Sequence, residues 1–406
     1  MEEWKEYKLG DISDIQTGPF GSQLHQCDYV DVGTPCIMPT NIGIHLDIKP
    51  EGIAHVKEED VIRLNKHCVK AGDIIYSRRG DIEKCAFISL REEGWLCGTG
   101  CLRIRINSKN VNPHFIAYQL STKESKKWIV GNAVGTTMLN LNTGILKELP
   151  LLMPDRLMQD SVVTILKSLD DKIEVNRRIN DNLEQHAQAL FKSWFVDFEP
   201  FKDQPFVDSE LGMIPKGWRV DTIYEYINVI YGAPYKSSLF NENKDGLPLI
   251  RIRDLKTNAP QFYTPEILPN TEYIEAGDIV AGMDAEFVPY VWLGEKGVLN
   301  QRCCKFKAKN DAISNYYVLF LVKPELEYVQ SYKTGTTVSH LGKSDIDRFK
   351  FITPSMDVVL AFSKIVNPII KEVVNNAKES RRLATLRDTL LPKLISGELN
   401  ISDIKV

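Results

Sequence analysis

The chain has 406 residues, 43% hydrophobic and 26% charged, and its 50 Lys and Arg against 54 Asp and Glu leave a net charge of −4. That length holds two domains with connectors, and the composition is that of an ordinary water-soluble globular protein. No apolar run reaches the ~18–20 residues of a membrane span, the opening MEEWKEYKLGD is too polar for a signal peptide, and the acidic balance argues against a uniformly basic nucleic-acid binder while leaving room for local basic loops or basic partners.

From the N-terminus, residues 1–155 alternate short β-like runs with Gly, Pro, Asn and Asp, as where Gly72-Asp73 leads into IIYS and Cys101 into LRIRI. HFIAYQLSTKESKKWIV then reads as a helix. Residues 156–198 contain a long stretch without Gly or Pro, in which a 4,3 spacing picks out Leu169, Ile173, Asn176, Asn180, Leu183, Ala187, Leu190 and Trp194, a coiled-coil seam with a polar middle. Residues 199–217 bear Pro and acidic residues and read as a linker. Residues 218–356 return to β-like runs, with NYYVLFLVKPELEYVQSY as their helix. Residues 357–398 give a second seam: Val366, Ile370, Val373, Ala377, Ser380, Ala384, Arg387, Leu391 and Leu394. Pro368 is expected to start or kink this helix and Pro392 to kink or end it near Gly397. The helices either pack on their own domains or pair with each other, their polar centres fixing register at a cost in stability.

The two β-rich stretches are copies. Gly135-Thr136-Thr137 recurs as Gly335-Thr336-Thr337 and Pro154 as Pro354, both 200 residues further on. Trp4 matches Trp218, Gly18 matches Gly232, and TPCIMPTNIG from Thr34 matches LPLIRIRDLK from Leu247. The shared positions are mostly Gly, Pro and apolar residues, which set turns and core. The polar residues between them differ: Arg78 and Arg79 face Met283 and Asp284, and Asn41 faces Asp254. A kept frame with changed polar loops suits two related binders of different targets.

Catalytic signatures fail one by one. Gly342-Lys343-Ser344 ends like a phosphate loop, but Gly335 lies two residues too far upstream. Asn112-Pro113-His114-Phe115 approaches the Asn-Pro-Pro-Phe of amino-methyltransferases but has His for the second Pro and no glycine-rich motif before it. The eight cysteines form no Cys-x-x-Cys pair, and Cys101 and Cys304 are read as matching positions of different domains, so buried reduced thiols are expected and no metal site. The chain reads as a non-catalytic recognition protein.

The repeat, the paired helices and three strings carry a resemblance. LKSLDDKIEVNRRINDNLEQHAQALFKSWFVDFEP at 166–200, ELGMIPKGW at 210–218 and LRDTLLPKLISGEL at 386–399 resemble the specificity subunit of type I restriction-modification enzymes. The resemblance spans the chain. It implies an α+β fold in which two target-recognition domains, 1–155 and 218–356, are separated by antiparallel coiled-coil helices. Each domain would read half of a bipartite duplex-DNA target through the major groove. The helices would set the spacer and dock two modification subunits, with restriction (translocase) subunits further out. No cofactor is expected in this chain: S-adenosylmethionine, ATP and Mg would belong to the partners. The unpaired cysteines and the absence of a signal-like start lead us to expect a cytoplasmic location. Alternatives left open are the specificity subunit of another multisubunit restriction system and a two-lobed protein-binding scaffold.

Base discrimination needs paired donors and acceptors, and the matched loops supply them. In the first domain the candidates are Ser22, Gln23, Thr40, Asn41, Ser77, Arg78, Arg79, Lys84, Thr136, Thr137 and Asn140. In the second they are Lys236, Ser237, Arg251, Arg253, Asp254, Asp284, Gln301, Arg302, Thr336, Thr337 and His340. The Thr hydroxyls recur in both domains and so suit phosphate, which is common to all sequences. Arg251 and Arg253 are expected to alternate along a strand. The Phe191-Trp194-Phe195 cluster is expected to be an exposed face awaiting a partner.

Overall fold

A computed structural model describes residues 4–20, 23–135, 139–333, 339–399 and 401. The chain divides into two compact units, and both dividing points fall inside long helices: one unit is Met1–Asp171 with Ala384–Val406, the other Lys172–Leu383.

In the first unit, strands Ser13–Thr17, Cys101–Ile106, Ile74–Ser77 and Cys85–Phe87 form an antiparallel sheet in that order. Ile74–Ser77 is buried throughout, as an apolar central strand requires. A second sheet runs Tyr29–Val30, Ala54–Val56, Thr34–Ile37, Leu96–Cys97, its last pair parallel. Lys5–Lys8 pairs with Pro150–Met153, whose residues alternate exposed and buried. The stretch read as one helix is two, Pro113–Ser121 and Lys123–Asn132. Thr122 breaks it: its extended backbone starts the second helix and its hydroxyl accepts the Ser125 N–H.

The second unit repeats the plan. Strands Ile227–Tyr231, Cys303–Ala308, Ile279–Gly282 and Pro289–Val291 form the first sheet. Phe262–Thr264, Leu247–Ile250, Gly297–Leu299 and Tyr273–Ile274 form the second, again with one parallel pair. Arg219–Thr222 pairs with Lys350–Thr353. Here the single helix Asn315–Lys333 carries Pro324 inside it. The ladders refine the sequence matching: Ser77 pairs with Cys101 and Gly282 with Cys303, so the counterpart of Cys101 is Cys303 rather than Cys304. All three thiols are buried, and burial pushes Cys304 up to about 12, which makes it a packing group rather than a nucleophile.

The long helices are Arg156–Phe195 and Met356–Ile395. None of the seam positions named from the 4,3 spacing is exposed. Neither proline interrupts the second helix: Pro368 and Pro392 sit at exposed positions, so the carbonyls they release lie on the wet side. The helix ends at Ile395, and Gly397 follows, whose φ of +75° suits a left-handed cap and whose missing side chain leaves room for Trp4. Within the second unit the two helices run antiparallel, and one stretch of their contact is polar. Asn176 Nδ2 donates to Glu379 (2.7 Å) and Ser380 Oγ (3.3 Å), and Asn376 Nδ2 donates to Asn180 Oδ1 (2.9 Å). Within the first unit, Arg387 Nη1 donates to Asp170 Oδ1 at 2.6 Å.

Two expectations fail on packing. Phe191 and Phe195 are not an exposed face: they are buried with Tyr317, Phe320 and Phe362 in the core of the second unit, and Trp194 packs beside them. Residues 199–217 are folded rather than a free linker. They contain the turn Glu199–Phe201 and the hairpin Phe206–Ser209 with Gly212–Pro215, pinned because Phe201, Ile214 and Trp218 join the same core. No helix among the described residues is long and apolar enough to cross a membrane.

Candidate nucleic-acid interface

The matched loops are held by matched backbone bonds. In the first unit, Arg78 donates its N–H to the Gly100 carbonyl (2.8 Å) and accepts the Leu141 N–H (2.9 Å), while Arg79 bridges Asn140. In the second, Met283 donates to the Arg302 carbonyl (2.8 Å) and accepts the Leu341 N–H (2.7 Å), while Asp284 bridges His340. Beneath each turn a glycine meets backbone: a Cβ on Gly18 would lie 2.0 Å from the Gly98 carbonyl oxygen, and one on Gly232 would lie 2.2 Å from that of Asn300. No side chain fits at either place, so the frame demands glycine twice.

On this common frame the charges differ. In the first unit Arg78 and Arg79 are adjacent, and among the described residues neither has a carboxylate within ion-pair distance. Arg78 lies over Phe20, 5.8 Å from ring centre, and its Nε is buried without a hydrogen-bond partner. Burial, then the Arg79 charge, makes the Arg78 cation less favourable than usual. Two like charges held together this way are relieved by an anion. Asn140 Oδ1 is likewise buried and unpartnered. Lys84 is tied to Asp81 at 3.0 Å. In the second unit Asp284 forms an ion pair with Arg302, Nη1 lying 2.9 Å from its carboxylate, and its Oδ1 lies 2.6 Å from His340 Nδ1.

Three candidates are part of the framework instead. Asn41 and Asp254 do the same job: each is 2% exposed, and each carboxyl or amide oxygen accepts a backbone N–H three residues back, from Met38 (3.0 Å) and Arg251 (3.0 Å). Asn41 Nδ2 is also used, on the Lys49 carbonyl. Ser77, 1% exposed, donates its hydroxyl to the Arg79 carbonyl. With their polar atoms committed inside the fold, these residues hold loops rather than meet a groove. Arg251 and Arg253 do not alternate on a strand. The strand stops at Ile250, Arg251 caps the short helix Ile252–Leu255, and Arg253 lies on that helix. Arg251 stacks on Phe262 at 4.3 Å and pairs with Asp254, leaving Arg253 as the exposed one.

Of the others, Thr40, Lys236, Ser237 and Gln301 are exposed, and Gln23 is half-buried with its carbonyl on Arg63. Ser22, Thr136, Thr137, Thr336 and Thr337 lie outside the described residues. Sequence reasoning passed over Phe20 and Phe262, the rings under Arg78 and Arg251; Phe20 between Gly18 and Gly21 was an available signal, whereas nothing in the sequence around Phe262 marks it.

The chain matches the family described as the type I restriction modification DNA specificity domain twice, over residues 1–185 and 215–380. It is 26% identical to the type I restriction enzyme MjaIX specificity subunit of Methanocaldococcus jannaschii, covering 99% of this chain and 95% of that one. It is also 26% identical to the type I restriction enzyme HindI specificity subunit of Haemophilus influenzae, covering 98% and 100%. The fold is similar to that of a type I restriction-modification S subunit from M. genitalium, with a TM-score of 0.54 at 17% identity over 97% of this chain and 96% of that one.

Proposed function

The chain belongs to the family of type I restriction-modification DNA specificity subunits, and on that premise we propose that its two units each read one half of a bipartite DNA target. The observation that carries the reading is the repeated frame: the Arg78-Arg79 turn and the Met283-Asp284 turn are held by the same backbone bonds and present different side chains. Direct readout needs this, because a rigid frame fixes position and the side chains choose the base.

In this reading Arg78, Arg79 and Asn140 face the first half-site and Arg302, His340 and Arg253 the second. The threonines after Gly135 and Gly335, which recur in both copies, take phosphate. The long helices set the unspecified gap and carry two methyltransferase subunits, to which the restriction subunits add. S-adenosylmethionine, ATP and Mg are held by those partners, and the complex works in the cytoplasm on DNA. The chain's net charge of −4 means that most of the phosphate attraction comes from the partners.

Methylation mapping tests this. DNA from cells making the chain with its methyltransferase subunits should carry one motif of two specified halves and a fixed unspecified gap. A contiguous motif, or methylation without sequence preference, would contradict the reading.

A further inference from the structure

The trio Asp284, Arg302 and His340 has no counterpart in the first unit. There the position of Asp284 is Arg79, the position of Arg302 is Gly100, and the position of His340 is Asn140. Surface ion pairs contribute little to stability, so a carboxylate shared by two half-exposed cationic or polar side chains calls for another account.

Both ends of the Asp284–Arg302 contact stand on fixed backbone. Ala285 is left-handed, with φ of +62°, and donates its N–H to the Ser339 carbonyl at 2.9 Å. Gln330 clamps the same turn, donating to the Ala285 carbonyl (3.0 Å) and accepting the Phe287 N–H (2.9 Å). Arg302 donates its N–H to Asn300 Oδ1 at 3.1 Å, and its carbonyl accepts from Met283. The Asp284 side chain is 21% exposed and that of Arg302 58%. The carboxylate lies nearest Arg302 at Nη1, and Nε and Nη2, the side edge of the guanidinium, make no hydrogen bond among the described residues. That edge offers two parallel N–H donors, the pattern that matches N7 and O6 of guanine in the major groove.

We propose that Arg302 reads a guanine in the half-site of the second unit and that Asp284 is its positioning residue. The inference rests on the reading that this unit contacts bases, and it adds which base and which side chain. A long arginine held by a carboxylate arrives at the groove with its donors already oriented, so less rotamer freedom is lost on binding.

The test uses the full chain assembled with its methyltransferase subunits. Arg302→Ala, Arg302→Lys, Asp284→Asn and the Asp284→Asn/Arg302→Ala double variant are compared by methylation mapping and by competition binding on duplexes varied one base pair at a time. Arg302→Ala should lose roughly 5- to 150-fold discrimination at one G·C position of one half-site, with the other half intact. Arg302→Lys, which keeps the charge but not the paired donors, should relax the same position. So should Asp284→Asn, by less, and the double variant should equal Arg302→Ala alone. Uniform weakening on all sequences would mark a phosphate contact and overturn the proposal, as would relaxation at an A·T pair, at different positions in the two single variants, or nowhere. Exchange of residues 218–356 for those of a related subunit serves as the control. If it leaves both halves of the motif unchanged, the reading of the unit itself falls. If it changes one half while Arg302→Ala does not, only this inference falls.

Discussion

Replacing Arg387 with Met should loosen the last turns of the second long helix from the first unit. Arg387 is 6% exposed and donates to Asp170 Oδ1 at 2.6 Å and to Asp388 Oδ1 at 2.8 and 2.9 Å. Asp170 accepts a second short bond, 2.6 Å from the Tyr118 hydroxyl. Asp388 is largely exposed and can turn to water, but the Asp170 side chain keeps only 24% exposure and would be left with one neutral donor. Breaking a buried pair from one side costs ~3–5 kcal/mol; the remaining Tyr118 bond and partial exposure bring the expectation to about 2–3 kcal/mol. At ~2–4 °C per kcal/mol for a unit of this size, the transition of the first unit should fall by roughly 4–12 °C in calorimetry. Hydrogen exchange should rise over residues 384–395 and stay unchanged in the second unit. If the stranded carboxylate carries the loss, Asp170→Asn in the Arg387→Met background should recover at least about 1 kcal/mol. A neutral or stabilising Arg387→Met would refute the reasoning, and a double variant no better than the single would assign the loss to packing instead of the stranded carboxylate.

His114 is stacked between Phe87 (4.0 Å) and Tyr118 (5.0 Å), and burial, with Lys167 nearby, pulls it down to about 4. The folded state therefore prefers neutral imidazole: its contribution is complete above the unfolded value near 6.5 and is lost as pH falls towards 4, by about 3 kcal/mol. His114→Phe, which keeps the stack, should flatten the stability profile of the first unit between pH 6.5 and 4; an unchanged slope in urea titrations would count against the assignment. Gly232→Ala puts a Cβ 2.2 Å from the Asn300 carbonyl oxygen and should destabilise the second unit by on the order of 1–3 kcal/mol without moving the first unit's transition, which calorimetry can separate. If the helices set the gap, four residues inserted after Asp171 and four after Leu383, the two points where the units divide, add ~6 Å of helix. At ~3.4 Å per base pair the mapped motif should keep both halves and gain one or two unspecified pairs. An unchanged gap in a folded, active variant would remove the helices from that role.

The frame was legible because close-approach glycines, apolar runs and helical spacing leave marks in the sequence: Gly18 and Gly232, IIYS, and the two seams are all where the pattern put them. What sequence spacing did not convey was which polar residues the fold consumes. Asn41, Asp254 and Ser77 look like base readers by type, yet each is buried because a tight turn beside it needs its oxygen for a backbone partner. The prolines misled in the opposite direction, since a helix tolerates Pro where the freed carbonyl meets water. The Phe191-Trp194-Phe195 cluster read as a free face because its covering residues, Tyr317, Phe320 and Phe362, are more than 120 positions away. The trio at Asp284 needed three separate loops to be placed side by side, which no local pattern encodes.

The central claim is that the two units are independent readers on one frame. Exchanging residues 1–155 for the same region of a related subunit, and mapping methylation in the assembled complex, tests it most directly. The account predicts that one half of the motif changes to that of the donor while the other half stays the same. Both halves changing together would contradict it, and so would neither changing in a complex that still methylates DNA.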